Sequence, residues 1–372
     1  MEDIGGILVT VEAVRISGEE LLERPPVTFD DDDLGEAVAG RRILVTGAGG
    51  SVGSALTRLL AALRPAELTC LESHEPSLFH LRNRLLASHP DVACRWALAD
   101  VRDERKLAAV FRECRPEVVF HLAAYKHVHV GEENVDQAIG VNVLGTVGLV
   151  RQAARAGVRA IVYPSTDKAV NPPSVYGATK RAVERYAALL AATGNATQLR
   201  VVRLVNVFGT QGSVVETFAR QIVAGEPLTV TDPRMTRYWM TMREAVSLLG
   251  WAAGAERREG PYILKVGQPV PPEVTARRLA RLLRPASEPT IRYVGSRPGE
   301  RLHEELAYPY ESLEPSPHPG VWTIRDLRGP SALNPDLEQQ IRALGRSLYE
   351  ADHRELRRRL FALAAGEAVA TG

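Results

Sequence analysis

Apolar and polar positions follow two alternating periods between residues 41 and 225 of this 372-residue chain. Short continuous apolar runs, typical of strands buried on both faces, precede longer segments with apolar residues at helical spacing. The predicted strands are 42–46, 67–71, 93–98, 117–122, 159–163 and 199–204. The predicted helices are 52–63, 75–87, 104–113, 134–156, 177–193 and 213–224. This alternation predicts an α/β fold built on a Rossmann-type doubly wound parallel sheet.

The remaining segments predict a division into four parts. Residues 1–40 form an N-terminal arm, and 41–205 form the dinucleotide-binding domain, to which 233–261 return. The Pro-rich stretches 206–232 and 262–330 predict a smaller C-terminal substrate-binding lobe. Residues 331–372 predict a helical segment. Apolar residues at helical spacing form a stripe along this segment, which we expect to pack on the domain or between subunits. The stripe consists of Leu337, Ile341, Leu344 and Leu348.

Composition and charge exclude several classes of protein. The formal net charge is +1 with 24% charged residues, which does not favour a nucleic-acid partner or an acidic membrane surface. We find no signal peptide and no apolar run approaching the roughly 20 residues of a membrane span. The three cysteines form no Cys-x-x-Cys pair and are expected to be buried free thiols. The sequence therefore predicts a cytoplasmic protein without a membrane partner.

A glycine-rich turn joins the first predicted strand to the first predicted helix. Gly47, Gly50 and Gly53 lie in this turn, with Ser51 and Val52 at the start of the helix. Glycines let the backbone approach a pyrophosphate, and a helix N-terminus offers free N–H groups and a positive dipole. A strand, a glycine turn and a helix in this order predict a dinucleotide site.

Three further strand ends are expected to line the same cofactor. Glu72 ends the second strand, where a carboxylate accepts hydrogen bonds from the adenosine ribose and disfavours a 2′-phosphate. This favours NAD over NADP, although Arg82 or Arg84 reaching back would change that preference. Asp100 and Val101 follow the third strand and are candidates for holding adenine. The small residues Ala123 and Ala124 follow the fourth strand and leave room for the cofactor.

Residues 165–180 carry the most informative chemistry. Tyr176 and Lys180 are four residues apart on a predicted helix, so both lie on one face. There the lysine is expected to lower the pKa of the phenol, so that Tyr176 can take a hydroxyl proton. Asp167 and Lys168 add a second acid/base pair, which hydride transfer alone does not require.

Several segments outside the cofactor domain predict a substrate that carries a diphosphate. Arg is the bidentate phosphate-binding residue, and two separate segments supply Arg237 and Arg297. Taken alone, each arginine fits an ordinary charged position on the protein surface equally well. The other candidates for substrate binding are Lys126, Asn206, Gly212, Ser213, Val214 and Glu300.

The histidines near the fourth strand do not predict a metal site. His127 and His129 lie near Glu132 and Glu133, but no third well-spaced ligand follows, so no metal is expected. His121 is expected to be a buried histidine with satisfied hydrogen bonds.

Together these residues resemble the extended short-chain dehydrogenase/reductase family. Within that family the chain is similar to the polysaccharide-biosynthesis group of UDP-N-acetylglucosamine 4,6-dehydratases. The resemblance spans about residues 41–310. It lies in the stretches 45–53, 124–128, 165–172, 177–181, 212–214, 235–237 and 297–300.

The resemblance implies a reaction in three stages with NAD and a nucleotide sugar. Tyr176, helped by Lys180, takes the C4 hydroxyl proton while hydride leaves C4, and Thr166 forms a hydrogen bond at C4. Lys168 then removes the C5 proton, and Asp167 protonates the departing C6 hydroxyl. The hydride returns to C6, which gives a 4-keto-6-deoxy sugar.

Some features leave the outcome at C5 and the sugar open. Membrane-bound relatives often carry Met where this chain has Tyr176, and the tyrosine form resembles relatives that also invert C5. A UDP-sugar 4-epimerase is the main alternative, since it would use Tyr176 and Lys180 without Asp167 and Lys168. A non-catalytic dinucleotide sensor is a second alternative, but such proteins typically lose the tyrosine or the lysine. The resemblance also implies a homo-oligomer paired through the helices at 134–156 and 177–193.

Overall fold

A nine-stranded sheet forms the centre of the protein. The computed structural model describes residues 9–11, 14–255, 260–286 and 288–367. Seven strands of this sheet are parallel. In spatial order they are β12 (Tyr262–Leu264), β8 (Gln198–Leu204), β7 (Ala160–Thr166), β6 (Val118–His121), β3 (Arg42–Thr46), β4 (Glu67–Glu72) and β5 (Cys94–Leu98). The strand order reverses between β3 and β6, which is where ligands bind in doubly wound sheets. The predicted Rossmann-type fold is confirmed.

Two antiparallel strands extend this sheet beyond β12. They are β14 (Glu311–Pro315) and β15 (Val321–Asp326), and β15 pairs with β12. Residues 262–264 and 311–326 thus belong to the main sheet, whereas the sequence predicted them in the smaller lobe. The reason is burial: Tyr262 and Leu264 are fully enclosed and pack in the core beneath the sheet. Proline-rich flanks concealed these short strands from a pattern-based prediction.

Helices cover both faces of the sheet. One face carries α2 (Asp31–Gly35), α3 (Ser51–Ala62), α4 (Glu75–Ser88) and α11 (Met242–Gly254). The other face carries α5 (Glu104–Cys114), α7 (Val135–Ile139), α8 (Thr146–Arg155) and α9 (Val175–Ala192). The short helix α6 (Val128–Glu133) precedes α7 and lies beside α9. One π-helical segment, Gly140–Gly145, separates α7 from α8, so the single helix predicted over 134–156 is interrupted.

The smaller lobe has its own apolar core. It contains α10 (Val214–Ala224), α12 (Pro272–Leu283) and the parallel pair β10 (Leu228–Val230) and β13 (Ile291–Tyr293). A second parallel pair, β9 (Asn206–Val207) and β11 (Trp239–Met240), connects this lobe to the main domain.

The N-terminal arm packs on the smaller lobe. It contains the antiparallel strands β1 (Val9–Val11) and β2 (Val14–Ile16), followed by α1 (Gly18–Leu21). Ile16 and Leu21 are buried in the core of the lobe. Arg24 pairs with the buried Glu244 at 2.6 Å, which fixes the arm to the start of α11. A short strand was predicted over residues 7–14. Residues 7, 8, 12 and 13 lie outside the described part of the chain.

Two C-terminal helices cover the helices that were expected to pair two subunits. They are α13 (Leu337–Arg346) and α14 (His353–Ala365), and α14 lies along α9 and α7. Leu356, Leu360 and Leu363 of α14 are buried in the same core as α9. The stripe predicted at 337–348 therefore packs on its own domain. The α9 part of the expected pairing surface is therefore covered within one chain, because α9 presents apolar side chains that α14 buries.

No helix among the described residues is both long and apolar enough to cross a membrane.

Candidate functional site

The glycine turn is built for close approach of backbone to backbone. Gly47 has a φ of 63°, and a Cβ atom there would lie 2.6 Å from the backbone N of Ala123. A Cβ atom on Gly53 would collide with the carbonyl oxygen of Gly47. The N-cap residue of α3 is Gly50, which has no side chain to bond the first N–H groups of the helix. These N–H groups, at Ser51 to Gly53, suit a pyrophosphate.

Glu72 lies at the end of β4 beside this turn and is almost fully buried. Its Oε2 accepts a hydrogen bond from the Gly49 N–H at 3.0 Å. Its Oε1 accepts from the N–H groups of Ser73 at 2.8 Å and His74 at 3.0 Å. The carboxylate therefore joins the glycine turn to the start of α4, at the strand end where the sequence predicted it.

Asp100 and Val101 follow β5 in different environments. Asp100 pairs with Arg102 at 2.6 Å, and this arginine lowers the pKa of the Asp100 carboxyl. Val101 is buried and packs against Gly145 of the π-helical segment. Both residues lie at the end of a parallel strand, as the adenine prediction requires.

The catalytic candidates follow β7 in a tight turn. Thr166 ends β7, Asp167 begins a single 3₁₀ turn, and α9 starts at Val175. Asp167 is fully buried, and its Oδ1 accepts from the Thr166 hydroxyl at 2.9 Å. Its second oxygen, Oδ2, has no hydrogen-bond partner among the described residues. A buried acceptor without a partner is uncommon, and this one lies in the predicted catalytic stretch.

Lys168 lies between two carboxylates. Its Nζ is 3.1 Å from Asp167 Oδ1, 3.5 Å from Glu304 Oε1 and 3.4 Å from Asn206 Oδ1. Burial lowers the pKa of Lys168, but Asp167 and Glu304 more than offset this effect and raise it overall. Lys168 is therefore an ammonium in this arrangement. It must lose a proton before it can act as a base.

Tyr176 and Lys180 lie one turn apart on α9, as the sequence predicted. Lys180 Nζ donates to the Pro164 carbonyl at 2.8 Å and lies 4.3 Å from the centroid of the Tyr163 ring. Burial lowers the pKa of Lys180 to about 7. Burial also raises the pKa of Tyr176, and the cation that opposes this increase is Lys168. The sequence pattern predicted that Lys180 would have this effect, but in this structure its amine is directed at a carbonyl group.

A network around the π-helical segment supports the site, and the sequence analysis did not identify it. Asn142 bonds both the N–H and the carbonyl of Tyr125, and it also donates to Thr179 at 3.0 Å. Thr179 in turn donates to the Tyr176 carbonyl. Asn142 thus connects the turn after β6 to the helix that carries Tyr176. Two glycines inside an apolar helical run, Gly140 and Gly145, were the available signal.

His121 is a buried residue with satisfied hydrogen bonds, which confirms its prediction. Thr146 donates its hydroxyl proton to the Asn142 carbonyl, so it accepts from His121 Nε2 at 2.9 Å. His121 Nδ1 then accepts from Thr46 at 2.6 Å. This network assigns the tautomer protonated at Nε2. Burial lowers the pKa of His121 to about 3, so the ring is neutral.

The structure brings the predicted substrate-binding residues Lys126 and Gly212 to the turn beside the start of α3. Lys126 donates to the Gln211 carbonyl at 2.8 Å, and the Gln211 N–H donates to Ser51 at 2.9 Å. Gly212 packs so closely on His127 that a Cβ atom would lie 2.5 Å from the ring. The turn before α10 therefore closes over the start of α3.

Ser213 and Val214 begin α10 at this turn. The Ser213 hydroxyl caps the helix by accepting from the Glu216 N–H. Val214 is partly exposed. Asn206 lies deeper in the site, because its amide donates to the Tyr238 carbonyl and its oxygen faces Lys168.

Arg237 and Arg297 occupy different environments, so the structure does not present them as a matched pair. Arg237 is buried and donates to the carbonyl groups of Thr236, Leu302 and Arg301. Arg297 is exposed, and its backbone N–H donates to Glu300 Oε2 at 3.1 Å. Glu300 Oε1 also faces His129 Nε2 at 3.6 Å. Across the described residues, no group of three or more metal-ligating side chains is assembled.

A buried ionic cluster lies behind β7. Arg203 is fully buried and pairs with Glu184 at 2.7 Å and Glu311 at 2.7 Å. Glu184 also accepts from Ser165 at 2.7 Å, next to Thr166. Arg203 donates to the Leu306 carbonyl at 3.0 Å as well. The cluster thus fixes the segment before β14 against the end of β7, and it brings Glu304 to Lys168.

Comparisons with known proteins show which family the chain resembles. Residues 43–326 match the family described as polysaccharide biosynthesis protein. The chain is 38% identical over 295 residues to the probable polysaccharide biosynthesis protein EpsC of Bacillus subtilis, a match that covers 78% of this chain and 49% of EpsC. The chain therefore spans about half the length of that relative. It is also 34% identical over 269 residues to the UDP-N-acetylglucosamine 4,6-dehydratase (inverting) of Campylobacter jejuni, which covers 71% of this chain and 77% of that enzyme.

A solved structure shares the fold over most of the chain. The X-ray structure of Pen from Bacillus thuringiensis superposes with a TM-score of 0.71 at 26% identity. The superposition covers 78% of this chain and 88% of Pen.

Proposed function

Because the chain belongs to the polysaccharide biosynthesis protein family, we propose that it is an NAD-dependent nucleotide-sugar 4,6-dehydratase. Its substrate in this proposal is UDP-N-acetylglucosamine or a close UDP-sugar. The similarity to the Campylobacter jejuni dehydratase supports this choice. The observation that carries the proposal is the Asp167–Lys168 pair, which lies beside Tyr176 and supplies an acid and a base beyond those needed for oxidation.

The pair can generate its own acid and base. Transfer of one proton from Lys168 to Asp167 across their 3.1 Å contact gives a neutral amine and a carboxylic acid. The amine then removes the C5 proton, and the acid protonates the departing C6 hydroxyl as water. This restores the ammonium and the carboxylate. The Asp167 oxygen that has no partner in the described part of the chain is available to face the departing hydroxyl.

Oxidation at C4 uses residues on α9 and at the end of β7. Tyr176 must first lose its own phenol proton; the phenolate then accepts the C4 hydroxyl proton, and Thr166 forms a hydrogen bond at C4. When bound, NAD would accept the C4 hydride and return it to C6. The glycine turn and Glu72 would hold this cofactor, with Asp100, Val101, Ala123 and Ala124 around the adenine and nicotinamide ends. The close backbone contact at Gly47 and the free N–H groups of α3 fit a dinucleotide.

The charge of Lys168 supports a 4-epimerase as a second candidate. Lys168 is held as an ammonium by two carboxylates, and in that form it cannot remove the C5 proton. A site that kept Lys168 protonated would be limited to oxidation and reduction at C4. The 4-epimerase would then yield a product of unchanged mass.

Mass spectrometry after incubation with a panel of UDP- and dTDP-sugars separates these candidates. We expect one sugar to lose one water, and in heavy water the product should carry solvent deuterium at C5. NMR of that product reports whether C5 is inverted. A product that keeps its 6-hydroxyl would reject the dehydratase and favour the epimerase.

A further inference from the structure

Glu304 is a carboxylate in the site that the sequence analysis did not identify. It lies between β13 and β14 and is 9% exposed. Its Oε1 is 3.5 Å from Lys168 Nζ and 3.7 Å from Arg237 Nε. It therefore stands between a proposed catalytic amine and a buried guanidinium group.

Interactions on both sides hold Glu304 in this position. Arg237 donates to the carbonyl groups of Arg301 and Leu302, just before Glu304. Arg203 donates to the Leu306 carbonyl just after it. Arg301 also donates to the Val170 carbonyl, so the segment lies on the turn that carries Lys168. With both flanks bonded, the carboxylate has little freedom to turn away.

The charges around Lys168 favour its ammonium form. Asp167 and Glu304 are the two carboxylates that face it, and Arg237 is the opposing cation. Tyr176 and Asn206 are the uncharged groups nearby. Asp167 alone is sufficient as the proton acceptor in the proposed elimination. Glu304 is an additional negative charge, and it stabilises the form of Lys168 that returns a proton to C5.

We propose that Glu304 is a positioning residue that sets how readily Lys168 loses its proton, and therefore the pH above which the Asp167–Lys168 pair no longer holds the proton that elimination needs. The kinetic part rests on the proposed dehydratase function. The effect on the charge of Lys168 does not rest on it.

Competitive acetylation measures that charge without any substrate. Only the neutral amine reacts with acetic anhydride, and peptide mass spectrometry quantifies modified Lys168 against Lys265 as an internal reference. Loss of one nearby carboxylate lowers a lysine pKa by about one unit, so Glu304→Gln should label about tenfold faster than wild type at neutral pH. Glu304→Met is a second neutral variant should the first fail to fold.

Two control variants that keep the carboxylate charge at position 304 show whether that charge is the cause. Glu304→Asp should label close to wild type. Glu305→Gln, which neutralises the neighbouring exposed carboxylate, should also match wild type. If Lys168 is labelled at the wild-type rate in both Glu304→Gln and Glu304→Met, the inference is overturned. Labelling that rises as much in Glu304→Asp would also overturn it, because packing would then be the cause.

The rate of water loss tests the kinetic part. The midpoint of the decline in this rate with rising pH should fall by about one unit in Glu304→Gln and stay unchanged in Glu305→Gln. A lower maximal rate with an unshifted midpoint would contradict a role through Lys168. If Lys168 labels faster but no sugar loses water, the charge relation stands and the dehydratase proposal fails.

Discussion

The ammonium of Lys168 lies 3.1 Å from one oxygen of Asp167, while the other oxygen of that buried carboxylate has no partner among the described residues. One side of the carboxylate is thus bonded to its potential proton donor. The other side is left for a group that enters the site. This asymmetry makes the pair suited to exchanging a proton and then passing it on.

Replacing Lys168 by Ala should block elimination and leave C4 oxidation possible but slower, because Tyr176 remains while the cation that opposes its raised pKa is lost. We expect dehydration to fall roughly 10²- to 10⁴-fold, the usual contribution of a general base. Reduced cofactor should then accumulate with substrate, which absorbance of the reduced nicotinamide would report. Lys265→Ala is the matched control, since that amine packs on Trp322. Wild-type dehydration by Lys168→Ala would place the base elsewhere.

Glu72 should determine the choice between NAD and NADP. Nucleotide released from the denatured wild-type protein is expected to be NAD. Glu72→Gln removes the charge that repels a 2′-phosphate, so its preference for NAD should fall about tenfold, or ~1.4 kcal/mol. Calorimetric titration with each cofactor measures this. Glu75→Gln, at an exposed position on the adjoining helix, should keep the wild-type preference. NADP as the sole released nucleotide would reject the assignment.

Arg297 and Arg237 should respond differently to replacement by Ala. Arg297→Ala should raise KM and leave kcat unchanged, because phosphate contacts are similar in the ground and transition states. Arg237→Ala should raise KM and also lower the free energy of unfolding by about 1–3 kcal/mol, since buried carbonyl groups lose their donor. Steady-state kinetics and urea unfolding check both. Arg292→Ala, at an exposed arginine on β13, is the control. An unchanged KM in both variants would remove them from the substrate site.

Lys180 should make stability depend on pH in the alkaline range. Its pKa falls to about 7 from an ordinary value of 10.5, chiefly through burial. Between these values the unfolded chain binds a proton that the folded chain does not, so this lysine's penalty on stability shrinks as pH rises.

Lys180→Met removes that penalty. Its stability advantage over wild type, measured without bound nucleotide, should shrink by on the order of 2 kcal/mol from about pH 7.5 to about pH 9.5. Lys106→Met, at an exposed position, should show no such trend. A constant advantage of Lys180→Met across this range would mean that the amine is charged in the folded protein.

The protein should be a homo-oligomer that uses a surface other than the face of α9 that α14 covers. Light scattering is expected to give at least twice the 40.6 kDa of one chain. Leu360→Ala should cost about 2–5 kcal/mol of stability, because this buried side chain packs within its own chain. The same variant should leave the oligomeric mass unchanged. A particle of 40.6 kDa would contradict oligomerisation.

The positions of the glycine turn and of the Tyr176–Lys180 pair were predictable because their signals are local. A buried strand, three glycines and a helix follow one another directly, and Tyr176 and Lys180 are separated by one helical turn. Glu304 and the Arg203–Glu311 pair left no such signal, because their partners are far away in the sequence. The charge of Lys168 was equally hidden, since a neighbour 136 positions along the chain contributes to it.

The position of α14 along α9 has a consequence for how the protein works when dilute. In a protein whose catalytic helix is supported by a second subunit, that support weakens as the concentration falls. Here the supporting helix is tethered to the same chain, so its local concentration does not change on dilution. The geometry around Tyr176 should therefore persist at low protein concentration, whether or not the subunits stay assembled.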